Sequence, residues 1–229
     1  MKKFSAGLQE LSILETEKIR VTRYSEFLLL YLENLEFSHR RICDFGCGTG
    51  VLGIYAAKRG AHSVTGFDID PDAIDLSKEN IALNDCSHFQ PYLIDDSVID
   101  ETYDFIISNP ASLPTVKASG KEFFSGGIYG IEMIQDLFDF SVTKLKKDGR
   151  IFFLQTSLSS INKAANYAHN KGFNYKIIGV FQTDIRDHYQ EFWHRVEHNQ
   201  RTGDAHFVEI NGVHSEIVYL VEAKYREMP

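Results

Sequence analysis

The chain has 229 residues, of which 43% are apolar and 13% aromatic, and it carries a formal net charge of -8. This length and apolar content are enough for one α/β domain with a sizeable buried core. The acidic balance argues against a protein whose affinity rests mainly on phosphate neutralisation, because such binding requires a basic surface. The three cysteines are an odd number, and the composition is not that of a disulfide scaffold, so we expect reduced thiols. With no apolar run of about 18 residues and no leader-like amino end, we expect a cytoplasmic protein that does not span a membrane.

Strand-like and helix-like segments alternate along the chain, a pattern typical of a parallel sheet with crossover helices. Predicted helices cover residues 25–37, with Ser25 as the cap, then 51–60, 71–85, 131–146 and 160–171. Predicted strands cover residues 41–45, 63–69, 89–94, 103–108, 149–156, 173–181 and 216–225. The last two strands have no crossover helix between them, so they should pair antiparallel. The predicted fold class is α/β and Rossmann-like, with a seven-stranded, mostly parallel sheet and an antiparallel last strand.

A glycine-rich stretch, "DFGCGTG", lies between the first predicted strand and the helix that follows it. Its three glycines, Gly46, Gly48 and Gly50, permit a tight turn and let a ligand approach the backbone at a helix N-terminus. The spacing is G-x-G-x-G and differs from the dinucleotide fingerprint G-x-G-x-x-G, which positions a pyrophosphate. Asp44, just ahead of the loop, would repel a pyrophosphate and suits a ligand with a cationic centre.

A second carboxylate follows at the end of the next predicted strand. Asp68 lies 18 residues after Gly50, where doubly wound folds place an acid that accepts hydrogen bonds from ribose hydroxyls. A nucleoside that carries a positive charge and no phosphate fits both carboxylates, and S-adenosylmethionine is such a ligand. The alternative is that the glycines only make a tight turn and that Asp68 and Asp70 cap the helix beginning at Pro71. In a third arrangement Asp70 is the cap while Asp68 binds the ribose.

The stretch "ICDFGCGTGVLGIYAAKRGAHSVTGFDIDPDAIDLSKENIALN" resembles motifs one and two of the class I S-adenosylmethionine-dependent methyltransferases. It is similar in particular to the methyltransferase small-domain group, which includes release-factor glutamine methyltransferases and several RNA-base methyltransferases. The resemblance covers about Ser25 to Phe181 and implies the class I methyltransferase fold. It also implies which residues contact the cofactor. Asp68 would bind the ribose, Ile69 would cover one face of the adenine, and Asp95 or Asp96 would lie near the adenine amine. The methionine half would be lined by Asp44, Gly46, Gly48 and Gly50. The alternative for Asp95 and Asp96 is a solvated turn.

The fourth predicted strand ends in "SNPAS", where the small-domain group has Asn-Pro-Pro-Tyr or a near variant. The resemblance implies that Asn109 and Pro110 are the catalytic pair. The amide of Asn109 and a carbonyl of the rigid loop would accept hydrogen bonds from a target NH₂ and orient its nitrogen toward the methyl group of the cofactor. Asn109 would therefore also border the cofactor. The alternative is a turn residue only.

Ser112 departs from the family pattern, which has an aromatic residue that stacks on a planar target. Either another aromatic replaces it, with Phe123, Phe124 and Tyr129 as candidates, or the target is not a flat amide or base. Weakened or lost catalysis is the third alternative.

The predicted organisation is a single domain, 1–229. It comprises an N-terminal helical substrate-side segment (1–40), a cofactor-binding core (41–181) and an insertion before the last strand (182–214). His194 and His198 in the insertion lack a zinc-protease motif, so we expect no metal site. We expect Trp193 to pack in the core, and Asn211-Gly212 indicates a hairpin turn.

The predicted function is methyl transfer from S-adenosylmethionine to a nitrogen of a macromolecule. The acidic charge favours a protein side-chain amide over a nucleic-acid base. Protein, RNA and small molecules all remain open as acceptors. The alternatives are a small-molecule methyltransferase and a non-catalytic, cofactor-binding partner subunit.

Overall fold

The structure is a computed structural model that describes residues 1–6, 9–94, 100–115, 125–185 and 187–226. Its strands are β1 (Lys2–Ala6), β2 (Gln9–Ile13), β3 (Arg41–Phe45), β4 (Ser63–Asp68), β5 (Phe89–Leu93), β6 (Tyr103–Ser108), β7 (Leu145–Thr156), β8 (Phe173–Asp184), β9 (Val208–Ile210) and β10 (Val213–Tyr225). Its helices are α1 (Arg23–Leu32), α2 (Val51–Lys58), α3 (Pro71–Leu83), α4 (Glu132–Lys144), α5 (Ile161–Asn170) and α6 (Trp193–Arg201), with a 3₁₀ helix at Asp187–Phe192. None of these helices is long and apolar enough to cross a membrane.

The chain divides into two compact units, residues 1–109 with 144–151, and residues 110–143 with 152–229. In the first unit the strands follow the order β5-β4-β3-β6 and then the beginning of β7. β3 pairs in parallel with both β4 and β6, and β4 pairs in parallel with β5. This mostly parallel arrangement places the carboxyl ends of β3, β4 and β6 at one edge of the sheet, where doubly wound folds bind ligands.

The second unit contains the end of β7, followed in order by β10 and β8. β10 pairs antiparallel with β8 and with the short β9. The α/β class, the mostly parallel sheet and the antiparallel last strand are therefore confirmed. Asn211 and Gly212 have φ angles of 53° and 78° between β9 and β10, so the predicted hairpin turn is also present.

The N-terminal segment differs from its prediction as helical. β1 and β2 form an antiparallel hairpin, and within residues 1–40 only α1 is helical among the described residues. In β2, Leu11 and Ile13 are fully buried and alternate with more exposed polar residues, which is the two-residue period of a strand. The single-domain organisation stays a prediction.

Helix caps show one correct and one wrong prediction. Asp70 caps α3 with Pro71 in the first turn, because an Asp70 carboxylate oxygen accepts from Asp72 N over 2.9 Å. The cap of α1 is Thr22 and not Ser25, since Thr22 Oγ1 accepts from Ser25 N over 3.2 Å. Ser25 therefore lies in the first turn, with its hydroxyl available for other contacts.

Candidate active site

The glycine loop joins β3 to α2 in a conformation that requires its glycines. Gly46, Gly48 and Gly50 have φ angles of 74°, 52° and 76°, in the left-handed region. A Cβ added at Gly50 would lie 2.6 Å from Ser77 Oγ, so a side chain at this position would require Ser77 to move. The loop is held to the end of β4, where the carbonyl of Phe67 accepts from Gly46 N over 2.8 Å.

Asp68 organises the exposed side of this loop. Its Oδ2 accepts from Gly48 N over 2.8 Å, and its Oδ1 accepts from Asp70 N over 3.0 Å. Burial raises the pKa of Asp68, and the backbone hydrogen bonds of Asp70 and Gly48 oppose that rise. Each carboxylate oxygen has a second lone pair, so Asp68 retains capacity for ribose hydroxyls. Next to it, Ile69 is 75% exposed, an apolar side chain at the carboxyl end of β4.

Asp44 lies beneath the loop and is fully buried. Its Oδ2 accepts from Gly53 N in α2 over 2.8 Å, while its Oδ1 has no hydrogen-bond partner among the described residues. Burial raises the pKa of Asp44 to about 8, against the lowering effect of the Gly53 hydrogen bond. At neutral pH this carboxyl is therefore mostly protonated without a ligand, and a cationic ligand above the loop would stabilise its ionised form.

Asn109 follows directly after β6, as predicted, and its side chain is held by α1. Its Nδ2 donates to Thr22 Oγ1 over 3.1 Å and to Ser25 Oγ over 3.0 Å. Both amide hydrogens are therefore used, and the carbonyl oxygen Oδ1 accepts no hydrogen bond from the described residues. Ser108 Oγ donates to the carbonyl of Phe45 over 2.7 Å and so fixes the end of β6 beside the start of the glycine loop.

The hydroxyls of Thr22 and Ser25 are functional candidates that the sequence prediction did not identify. One signal for them exists in the sequence: the stretch "RVTRYSEFLL" resembles the short segment that the small-domain methyltransferase group has before its core, with Ser25-Glu26 in place of the usual Thr-Glu. The structure gives that match a physical role, since its two hydroxyls are the partners of Asn109.

After Asn109 the chain enters the second unit, where Pro110 is buried. Gly126 N donates to the carbonyl of Leu113 over 2.9 Å, and Thr115 N donates to the carbonyl of Gly127 over 2.9 Å. This pairing holds the residues after Pro110 against a glycine-rich segment.

Ser112 is only 9% exposed and offers little surface to a substrate. A Cβ added at Gly130 would lie 2.5 Å from the Ser112 carbonyl oxygen. Of the aromatic candidates to replace the family residue, Tyr129 is 39% exposed and has Lys163 Nζ 4.4 Å from its ring centroid. Phe123 and Phe124 lie outside the described residues, as do Asp95 and Asp96 of the predicted adenine contact.

The insertion before the last strand packs by its aromatic residues. Trp193 is partly buried: it packs against a buried cluster and contacts Phe207 and His214, with ring centroids 4.7 and 4.8 Å apart, so it lies at the edge of the core and not inside it as predicted. Within the described ranges, no three His, Cys, Asp or Glu side chains come together as metal ligands.

The chain is similar in sequence to known methyltransferases. The family model of ribosomal protein L11 methyltransferase matches residues 25–113. A relative from Methanocaldococcus jannaschii, provisionally named a protein N5-glutamine methyltransferase, is 32% identical over 180 residues, which cover 72% of this chain and 90% of the relative. The L11 methyltransferase of Shewanella baltica is 37% identical over 123 residues, or 49% of this chain and 41% of the relative. The chain thus spans about two fifths of the length of that second relative.

Solved structures support the fold. The L11 methylase of Lactobacillus delbrueckii subsp. bulgaricus matches with a TM-score of 0.56 at 20% identity, covering 89% of this chain and 80% of the other. The precorrin-6y C5,15-methyltransferase of Geobacter metallireducens matches with a TM-score of 0.58 at 14% identity, covering 93% and 94%. Together with the identity to the M. jannaschii relative, these matches show that the chain belongs to the class I S-adenosylmethionine-dependent methyltransferases.

Proposed function

We propose that this methyltransferase transfers the methyl group of S-adenosylmethionine to the side-chain amide nitrogen of a glutamine in a protein. The observation that carries the proposal is the side chain of Asn109. Both of its N–H groups are bound to hydroxyls of α1, so it presents a carbonyl oxygen. A carbonyl oxygen accepts hydrogen bonds and therefore suits a target that offers N–H groups.

The glycine loop and the end of β4 form the cofactor side of the proposal. Gly46, Gly48 and Gly50 give the methionine half access to the backbone, Asp68 accepts from the ribose hydroxyls, and Ile69 covers one face of the adenine. Asp44, beneath the loop, offsets the positive charge of the cofactor. Asp95 and Asp96 lie outside the described residues, and a contact of one of them with the adenine amine stays a prediction from the sequence.

When bound, S-adenosylmethionine supplies a methyl group on a positively charged sulfur, which is a good leaving group. The contribution of the protein is then mainly to hold the acceptor nitrogen in line with that methyl group. Asn109 Oδ1 and the carbonyl of Pro110 each accept one hydrogen of the target NH₂, which aims the nitrogen lone pair. With the acceptor held in this way, the cofactor would supply the methyl group to the nitrogen as its carbon–sulfur bond breaks, and the displaced amide proton would pass to water.

The acceptor class is supported by two of the relatives. The M. jannaschii relative is provisionally named for glutamine N5 methylation, and the S. baltica relative is named for ribosomal protein L11. Both names specify protein acceptors. The formal net charge of -8 also disfavours an acceptor that must be held by its phosphates.

The test compares Asn109→Ala with the wild-type chain in two assays. Calorimetry measures the affinity for S-adenosylmethionine, and transfer of a labelled methyl group to the protein fraction of a cell extract measures activity. We expect activity to fall about 100-fold with little change in cofactor affinity, because positioning of the acceptor is lost. The matched control is Asn170→Ala, at the exposed end of α5, which should behave as wild type. Full transfer activity in Asn109→Ala would overturn the proposed role.

A further inference from the structure

Asn80 in α3 and Asn84, the C-cap residue of that helix, hold β2 and the residue after it by contacts that imitate strand pairing. Ser12 N donates to Asn84 Oδ1 over 3.0 Å, and Asn84 Nδ2 donates back to the carbonyl of Ser12 over 2.7 Å. Leu14 N donates to Asn80 Oδ1 over 2.7 Å, and Asn80 Nδ2 donates back to the carbonyl of Leu14 over 3.1 Å. Because the asparagines are four residues apart on one helix, they meet alternate residues of the extended chain.

Asn80 makes one further contact that distinguishes it from Asn84. Its Nδ2 donates to the carbonyl of Thr49, in the glycine loop, over 2.9 Å. The third hydrogen bond of Asn84 goes to the carbonyl of Asn80 in its own helix, over 2.7 Å. Asn80 is fully buried, and its amide joins the loop and the N-terminal chain through a single side chain.

The chain from residue 14 to residue 21, here called the strap, runs from β2 toward α1 past the glycine loop. Its middle is folded by Thr16, whose Oγ1 accepts from Ile19 N over 3.0 Å. Ile19 Cγ2 lies 3.8 Å from the position that a Cβ would take at Gly48. The strap therefore lies beside Gly48 at Ile19, and at Leu14 it is hydrogen-bonded to the same asparagine that holds Thr49.

We propose that Asn80 is a positioning residue for the cofactor, acting by fixing the Thr49 carbonyl and the strap in one arrangement beside the glycine loop. The inference rests on the proposed function, since it takes this loop as the S-adenosylmethionine site. Gly50 N donates to the carbonyl of Cys47 over 2.7 Å, so both ends of the Thr49–Gly50 peptide are held by the protein. A loop that is ordered before binding loses less conformational freedom when the cofactor binds. The protein therefore has a higher affinity for the cofactor.

The experiment compares Asn80→Ala with Asn84→Ala. Each variant loses three side-chain hydrogen bonds on the same helix, and only Asn80→Ala loses the one to the glycine loop. Calorimetry with S-adenosylmethionine should show a dissociation constant about tenfold higher for Asn80→Ala and nearly unchanged for Asn84→Ala. The KM for the cofactor should rise in parallel, with kcat at saturating cofactor close to wild type. Equal affinities in the two variants, whether both unchanged or both weakened, would overturn the inference.

Hydrogen exchange in the wild-type chain gives a second readout that does not require either variant to fold. Saturation with S-adenosylmethionine should slow the exchange of strap amides, Leu14 included, because the strap and the loop are held through Asn80. Unchanged exchange in the strap of a cofactor-bound chain would contradict the inference alone. A wild-type chain that binds no S-adenosylmethionine would instead contradict the proposed function and this inference with it.

Discussion

The side chain of Asn109 donates to Ser25 Oγ over 3.0 Å and so joins the end of β6 to the first turn of α1. Thr22, the N-cap of that helix, accepts the second amide hydrogen over 3.1 Å. The orientation of the proposed catalytic amide is therefore set by a helix that precedes the cofactor-binding core in the chain. This relationship leads to two predictions about α1.

Ser25→Ala should lower kcat about fivefold and leave the affinity for S-adenosylmethionine unchanged. The variant removes one of the two acceptors that orient Asn109, and a lost hydrogen bond of this kind contributes about 1 kcal/mol. Methyl-transfer kinetics and calorimetry on the same preparation measure the two quantities. The control is Ser87→Ala, at an exposed serine, and equal kcat values in the two variants would contradict the prediction.

Thr22→Ala should reduce both stability and activity, because Thr22 Oγ1 contacts both Ser25 N and the amide of Asn109. Loss of the cap should cost about 1 kcal/mol of the free energy of unfolding. Thr22→Ser keeps the hydroxyl and should restore both properties. Urea denaturation and methyl-transfer assays test this pair of variants. A Thr22→Ser variant as impaired as Thr22→Ala would argue against a role for the hydroxyl in stability and activity.

Asp44→Asn should alter the pH dependence of stability in the cofactor-free protein. The native pKa of Asp44 is about 8, above its ordinary value of 3.8, so the native state retains a proton that the unfolded chain releases. The stabilisation from this group is complete below about pH 4 and is lost as the pH rises to about 8, by roughly 1.4 kcal/mol per pH unit. Asparagine does not titrate.

The free energy of unfolding of Asp44→Asn minus that of wild type should therefore increase by roughly 2–3 kcal/mol between pH 5 and pH 7. Urea titrations at the two pH values measure this difference, in which the other titrating groups cancel. A difference that does not change with pH would show that Asp44 is already ionised in the native state.

Gly53→Ala should destabilise the protein by about 1–3 kcal/mol, although alanine is the better helix former. Gly53 lies inside α2, and a Cβ there would lie 2.5 Å from the ring of Phe89 and 3.1 Å from Asp44 Oδ2. Thermal denaturation of Gly53→Ala, of Phe89→Leu and of the double variant forms a mutant cycle. The leucine at position 89 should relieve part of the crowding, so the double variant should be destabilised less than the sum of the two single variants. Strictly additive losses of stability would exclude the contact between position 53 and Phe89 as the cause.

The sequence predicted best what is encoded locally. The glycine loop, the position of Asp68, the Asp70 cap and the strand that ends at Asn109 all follow from turn residues and short-range periodicity. The N-terminal hairpin was missed, because the alternating pattern in β2 covers only five residues and the segment 1–40 was predicted to be helical.

The contacts that organise the candidate site join residues far apart in the chain, so no local pattern reveals them. Asn109 and Thr22 are 87 positions apart, and Asn80 and Leu14 are 66 apart. Gly53 is a similar case, since a glycine inside a helical pattern gives no sign of the aromatic ring that occupies its space.

Identification of the methylated product tests the central proposal most directly. The purified chain is incubated with methyl-labelled S-adenosylmethionine and cell extract, and the products are separated into protein, RNA and small-molecule fractions. Labelled protein is then digested and the modified residue is identified by mass spectrometry. We predict label in the protein fraction, on the side-chain amide nitrogen of glutamine, and its loss in Asn109→Ala. Label confined to RNA or to small molecules, or on lysine in place of glutamine, would contradict the proposed acceptor.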